Sequence, residues 1–144
     1  MNPYKHSISL RISGDFEVEE LKLSLGLGPL VSRAKGDKRG TRCSDGVVVY
    51  EERSRILKEF YREADGDVTH SIGKICDVLE GIGDRYLAIA KKHHAELFIG
   101  LFGNHNFGFV CDPETLGRVT RLRLTLSFDI YSDEEANAAQ ASIL

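Results

Sequence analysis

Residues 121–131 alternate between polar and apolar side chains, and this alternation constrains the fold more strongly than any other feature. The apolar positions are Leu122, Leu124, Leu126, Phe128 and Ile130. Because successive side chains of a strand point to opposite sides, the pattern predicts a β-strand with one face on a core and the other against water or a partner. Ile8, Leu10 and Ile12 alternate in the same way and predict a second half-buried strand.

The size and charge of the chain limit the classes of protein to which it can belong. A chain of 144 residues is of ordinary size for one domain, and we expect a single domain over residues 1–132 with an alanine-rich tail over residues 133–144. Its 19 basic and 22 acidic residues leave a net charge of -3, which does not favour nucleic acid or an anionic membrane as a partner. The three cysteines show no paired spacing, and no long apolar run is present. We therefore expect reduced thiols and a cytoplasmic location.

Apolar residues spaced by three and four predict helices. The predicted segments are one between Asp15 as N-cap and Gly26, one over residues 54–64, one carrying Ile72, Ile75, Cys76 and Leu79, and one from Asp84 to about His94. The pattern leaves open whether the last two of these segments form one kinked helix. Asp112 as N-cap, with Pro113 in the first turn, predicts a last short helix that ends near Thr120.

The remaining segments complete the predicted fold. Residues 96–102 and 107–110 predict a hairpin, residues 47–50 a short strand, and residues 30–46 a long loop. Together the elements predict an α+β fold: a two-layer sandwich with a mainly antiparallel sheet and helices on one face, ferredoxin-like in type. The strand order does not follow from the pattern.

Several short motifs carry a resemblance to a known family. They are ISLRISG at residues 8–14, LGLGP at 25–29, KGD at 35–37, CDP at 111–113 and FDIY at 128–131. In these motifs the chain resembles the bacterial domain-of-unknown-function family 4279. The resemblance covers most of residues 7–131 and implies one small α+β domain in a bacterial protein. It implies no activity and no catalytic residues.

The predicted long loop is rich in basic residues that could bind an anion or an acidic partner. These residues are Arg33, Lys35, Lys38, Arg39 and Arg42. Guanidinium groups and free backbone N–H groups between glycines suit phosphate or carboxylate groups. The alternative is a solvated loop without a binding role.

The middle strands predict a second candidate surface, because they are apolar on both sides. Its residues are Val48, Tyr50, Phe98 and Phe102. An exposed apolar patch of this size needs a cover, which could be the long loop, the C-terminal tail, or another protein chain, including a second copy of this one.

Motifs for catalysis, cofactors and metals are absent from the sequence. Adjacent His93 and His94 would diverge by about 100° on a helix, and Gly26 and Gly28 close a helix instead of opening one as in a dinucleotide loop. We therefore expect no cofactor, no metal site and no catalytic residue, with enzymatic activity third among the hypotheses. First is a protein-interaction domain, such as an immunity or accessory protein. Second is a small-ligand or anion-binding domain that uses the basic loop 33–42.

Overall fold

The computed structural model describes residues 3–41, 48–104 and 106–132, with the backbone alone at residues 39–41 and 48–50. The strands in this part of the chain are β1 (Tyr4–Gly14), β2 (Val31–Arg33), β3 (Lys38–Thr41), β4 (Val48–Tyr50), β5 (Ser54–Ala64), β6 (His94–Gly103) and β7 (Leu124–Ser132). The helices are α1 (Val18–Leu25), α2 (Val68–Ile82), α3 (Asp84–Lys92) and α4 (Pro113–Arg121). None of these helices is long and apolar enough to cross a membrane.

The strands of the described residues form a five-stranded sheet in the order β2-β5-β1-β6-β7, and β3 pairs with β4 in a separate two-stranded sheet. The central strand β1 is antiparallel to both β5 and β6, whereas β6 and β7 are parallel. The predicted α+β class with a mainly antiparallel sheet is therefore confirmed. The ferredoxin-like type stays a prediction.

The core lies on one face of the five-stranded sheet. Ile8, Leu10 and Ile12 point to this face from β1, and their neighbours in β6 continue it. The helices contribute their own buried stripes to the same cluster, since apolar residues three and four positions apart share one side of a helix. The opposite face of the sheet carries polar and half-buried side chains. This second face is called the open face below.

Residues 54–64 form β5, so the predicted helix at this position is wrong. Two irregularities in the pairing of β1 with β5 shift the register near Ile8. Such β-bulges interrupt the strict alternation of a strand, and Phe60 and Tyr61 are consequently half-buried in succession. Two apolar dipeptides four positions apart, Ile56-Leu57 and Phe60-Tyr61, resemble the apolar stripe of a helix. Hydrogen bonding to the neighbouring strands β2 and β1 favours the extended chain instead.

Other predicted boundaries also need correction. Residues 107–110 form no strand, and β6 pairs with β1 and β7 instead of with a hairpin partner. The predicted long loop contains β2 and β3. Leu122 is buried but precedes β7. The predicted tail, residues 133–144, lies outside the described residues.

The helix ends follow local hydrogen bonding. Asp112 accepts a hydrogen bond from the Thr115 N–H at 2.7 Å, as predicted for the N-cap of α4. The N-cap of α1 is Glu17 rather than Asp15, because the Glu17 carboxylate accepts from the Glu20 N–H. Gly83 has a φ of 72°, which glycine adopts easily, and it separates α2 from α3.

Candidate ligand-binding cleft

A cleft of about 600 Å³ opens on the open face, over the region where β2, β5 and β1 lie side by side. Its volume is within the range of small-molecule sites, roughly 300–1,000 Å³. Its charged and titratable lining residues are Arg11, Arg33, Arg55, Glu51, Glu96 and His94. Half of its twelve lining residues are therefore charged or titratable, and most of them belong to the strands of the sheet.

The strand register brings the arginines together. Arg33 of β2 is the direct partner of Arg55 of β5, and such opposed residues have Cβ atoms about 4.5–5.5 Å apart on the same face. Arg11 of β1 is opposite Leu57, two positions along β5 from Arg55, so it lies on the diagonal. We call Arg11, Arg33 and Arg55 the arginine cluster. Like charges in direct opposition destabilise a sheet, and an anion between them would remove that repulsion.

The members of the arginine cluster differ in their partners. The guanidinium carbon of Arg11 lies 3.8 Å from the ring centroid of Phe98, and Arg11 is also opposite Glu96 in the sheet. Arg33 is exposed and forms no ion pair with another described residue. Arg33 is thus available to an external anion, whereas Arg11 is already oriented by an aromatic face.

Glu51 follows β4 and forms part of the cleft lining. Its backbone is fixed by the turn at residues 34–37, since the Glu51 N–H donates to the Asp37 carbonyl at 2.8 Å and the Gly36 N–H donates to the Glu51 carbonyl at 2.9 Å. Within the turn, the Ala34 N–H donates a hydrogen bond to the Asp37 carboxylate at 2.8 Å. These bonds place Glu51 beside the turn that follows β2, and Glu51 lines the cleft together with Arg33.

The Glu51 carboxylate is buried and incompletely paired. Its side chain is 3% exposed, and Arg55 Nε lies 3.7 Å from its Oε2, too far for a hydrogen bond. Oε2 has no hydrogen-bond partner within the described structure. Native proteins rarely leave a buried polar atom unpaired, and such atoms call for an explanation.

Comparison with known proteins assigns the family. The model of a family described as "Domain of unknown function (DUF4279)" matches residues 2–133. The chain belongs to the DUF4279 family. No curated protein and no solved structure matches it. The family description assigns no activity to this DUF4279 domain.

The predicted basic loop is divided between different parts of this DUF4279 domain. Arg33 lies in the cleft. Lys35 is 3.7 Å from the Asp15 carboxylate, and Lys38 is exposed at the start of β3. The side chain of Arg39 and all of Arg42 lie outside the described residues. The binding role predicted for these residues stays a prediction.

The predicted apolar surface is also divided. Phe98 and Phe102 are half-buried on the open face of β6, where Phe102 stacks on Tyr131 with ring centroids 5.3 Å apart. Val48 and Tyr50 belong to β4, which is outside the five-stranded sheet, and their side chains lie outside the described part. An interface on these residues stays a prediction.

The sequence interpretation missed Arg11, Arg55 and Glu51 as a group. The alternation in β1 already placed Arg11 on the face opposite the core, but the helix predicted over residues 54–64 concealed that Arg55 shares this face. The position of Glu51 depends on hydrogen bonds to a turn, which leave no periodic signal. Among residues 3–41, 48–104 and 106–132, histidine, cysteine and acidic side chains form no group of three that could hold a metal ion.

Proposed function

We propose that this domain binds a small molecule with a carboxylate or phosphate group in the cleft on the open face. The observation that carries the proposal is the direct opposition of Arg33 and Arg55, with Arg11 on the adjacent strand. Arginine presents paired N–H donors that match the oxygens of carboxylates and phosphates. An anion bound there would receive hydrogen bonds and relieve the repulsion within the arginine cluster.

The position of the cleft supports the same function. Arg11 and Arg55 project from long strands, each of 11 residues, so their backbone positions are fixed before a ligand arrives. Pre-organised donors reduce the entropy lost on binding. The apolar side chains of Val31 and Leu57 also line the cleft, which suits a ligand with a short carbon skeleton beside its anionic group.

A protein-interaction domain, such as an immunity or accessory protein, has weaker support. That hypothesis depends on an apolar patch that needs a cover, and on the open face the ring of Phe98 already lies beneath Arg11. Phe102 is stacked on Tyr131. Contacts within the chain thus explain much of the burial that a partner would otherwise supply.

Thermal unfolding with oxyanions tests the proposal. At ten times the Kd, a ligand that binds the folded state stabilises it by about 1.4 kcal/mol, which raises the Tm of a domain of this size by roughly 3–6 °C. We expect phosphate or citrate to raise the Tm relative to chloride at equal ionic strength. The increase should shrink as salt is added, because exposed charges are screened.

Variants locate the binding site. Arg33→Gln should strongly reduce the Tm increase, while the Tm in chloride should stay equal or rise, because the repulsion between Arg33 and Arg55 is gone and the ion pair of Arg55 with Glu51 is kept. Arg85→Gln, at an exposed arginine of α3, removes one positive charge as Arg33→Gln does, but away from the cleft, and should keep the full response. Equal Tm values in phosphate, citrate and chloride, or an equal loss in Arg85→Gln, would contradict the proposal.

A further inference from the structure

We propose that Glu51 selects anions that also carry an ammonium group, so that the ligand of the cleft is a zwitterion. This inference rests on the proposed anion site and specifies its ligand class. It starts from the Glu51 carboxylate, which lines the cleft, is 3% exposed, and has an oxygen without a hydrogen-bond partner among the described residues.

The charge balance around Glu51 changes when an anion binds. Without ligand, the cation that contacts Glu51 is Arg55, at 3.7 Å, and the Arg55 side chain is 55% exposed. An exposed guanidinium can turn towards a bound carboxylate or phosphate, which offers shorter hydrogen bonds in paired geometry. Glu51 then loses its long ion pair and becomes a buried carboxylate without a counter-charge, which is strongly unfavourable.

An ammonium group on the same ligand restores the balance. It brings a positive charge and three N–H donors, and a charge-assisted hydrogen bond to the buried oxygen is stronger than one between neutral groups. A divalent metal ion fits less well, because the described residues around Glu51 form no group of three side chains that could hold one. The backbone bonds of Glu51 to Gly36 and Asp37 keep the carboxylate in place while Arg55 moves.

Two pairs of probes separate the ammonium from the anion. Aspartate and succinate have the same two carboxylates and differ by one ammonium group. Phosphoethanolamine and ethyl phosphate form the corresponding phosphate pair. Titration calorimetry at fixed ionic strength should show tighter binding of the amine-bearing member of at least one pair, by roughly tenfold to a hundredfold. This preference would oppose the trend in net charge, since the amine-bearing member is the less negative of each pair.

Glu51→Gln supplies the matched test. The variant should lose the preference for the amine-bearing probe and should bind succinate or ethyl phosphate at least as well as the wild type, because a negative charge near the anion is gone. Glu52→Gln, at the exposed neighbouring position, should behave as the wild type. If Glu51 merely positioned Arg55, Glu51→Gln would weaken both members of a pair equally, and the inference would be overturned.

The wild-type titrations decide the outcome even where Glu51→Gln does not fold. Equal affinity within both pairs overturns the role of Glu51 and leaves anion binding intact. Failure of the four probes, together with failure of phosphate and citrate in the thermal assay, overturns the anion site itself.

Discussion

His6 is a histidine in the core, and its surroundings decide its charge. It is fully buried, its Nε2 lies 2.8 Å from the Ser71 hydroxyl, and its Nδ1 has no hydrogen-bond partner among the described residues. Burial disfavours the imidazolium and lowers the pKa of His6 below 6.5, although Asp67 and Asp65 act in the opposite direction. The folded protein therefore contains neutral His6 at neutral pH.

This lowered pKa makes stability depend on pH. In the unfolded chain His6 takes up a proton near pH 6.5, while in the folded chain it stays neutral to lower pH. Below pH 6.5 the unfolded state consequently binds more protons than the folded state. The contribution of His6 to stability is therefore complete above this pH and is lost as the pH falls. Urea unfolding between pH 8 and pH 5 should show a free energy of unfolding that decreases below about pH 6.5.

Two histidine variants distinguish His6 from the other titrating groups. His6→Gln should lower the overall stability but flatten the slope of the free energy of unfolding between pH 6.5 and 5. His70→Gln makes the same substitution at an exposed histidine of α2 and is the control for the change of side chain itself. An unchanged slope in His6→Gln would show that other groups cause the pH dependence.

At the scale of secondary structure, local signals predicted some elements and non-local pairing decided others. The alternation in β1 and the Asp112 cap of α4 depend on neighbours in sequence, so the pattern sufficed. The spacing of the apolar residues in 54–64 predicts a helix, whereas in the structure this segment is β5, where bulges in the pairing with β1 accompany the successive half-buried side chains of Phe60 and Tyr61. Its strand state depends on β1 and β2, which lie far away in sequence.

Replacing glycine by alanine near the end of β6 and near the end of α2 should change the stability of the fold in opposite directions. At Gly103, the end of β6, an added Cβ would lie 2.7 Å from the Phe107 ring and 2.8 Å from the Pro3 carbonyl oxygen. Gly103→Ala should therefore destabilise the fold by about 1–3 kcal/mol. At Gly81 of α2 the added Cβ meets nothing within 4 Å, so Gly81→Ala should stabilise it by up to about 1 kcal/mol through helix propensity.

Chemical denaturation of the two alanine variants tests this contrast. Because the same methyl group is added in both, intrinsic effects of alanine on the unfolded chain are similar, and the difference reports the folded environment. Equal stability of Gly103→Ala and the wild type would mean that the close approach of β6 to Pro3 relaxes without cost.

At the scale of the whole molecule, the cleft is a product of sheet order. Arg11, Arg33 and Arg55 belong to three strands, and the register of those strands brings them onto one face. The sequence alone predicted a mainly antiparallel sheet, but the order β2-β5-β1-β6-β7 comes from pairings between residues far apart. A basic segment could be predicted from sequence, whereas a basic cleft could not.

The same architecture predicts a hierarchy of amide exchange. Leu10 and Ile12 lie in the part of β1 that is paired regularly on both sides, so their amides should exchange most slowly. The Gly36 and Glu51 amides depend on the turn beside the cleft and should exchange faster, by local opening. If the zwitterion binds the cleft, saturating phosphoethanolamine should slow exchange of the Gly36 and Glu51 amides, because opening of the turn removes Glu51 from the site. The Gly83 amide lies between α2 and α3, is bonded to the Leu79 carbonyl, and should keep its rate. Slowing at Gly83 without slowing at Glu51, measured by NMR, would place the ligand elsewhere on the molecule.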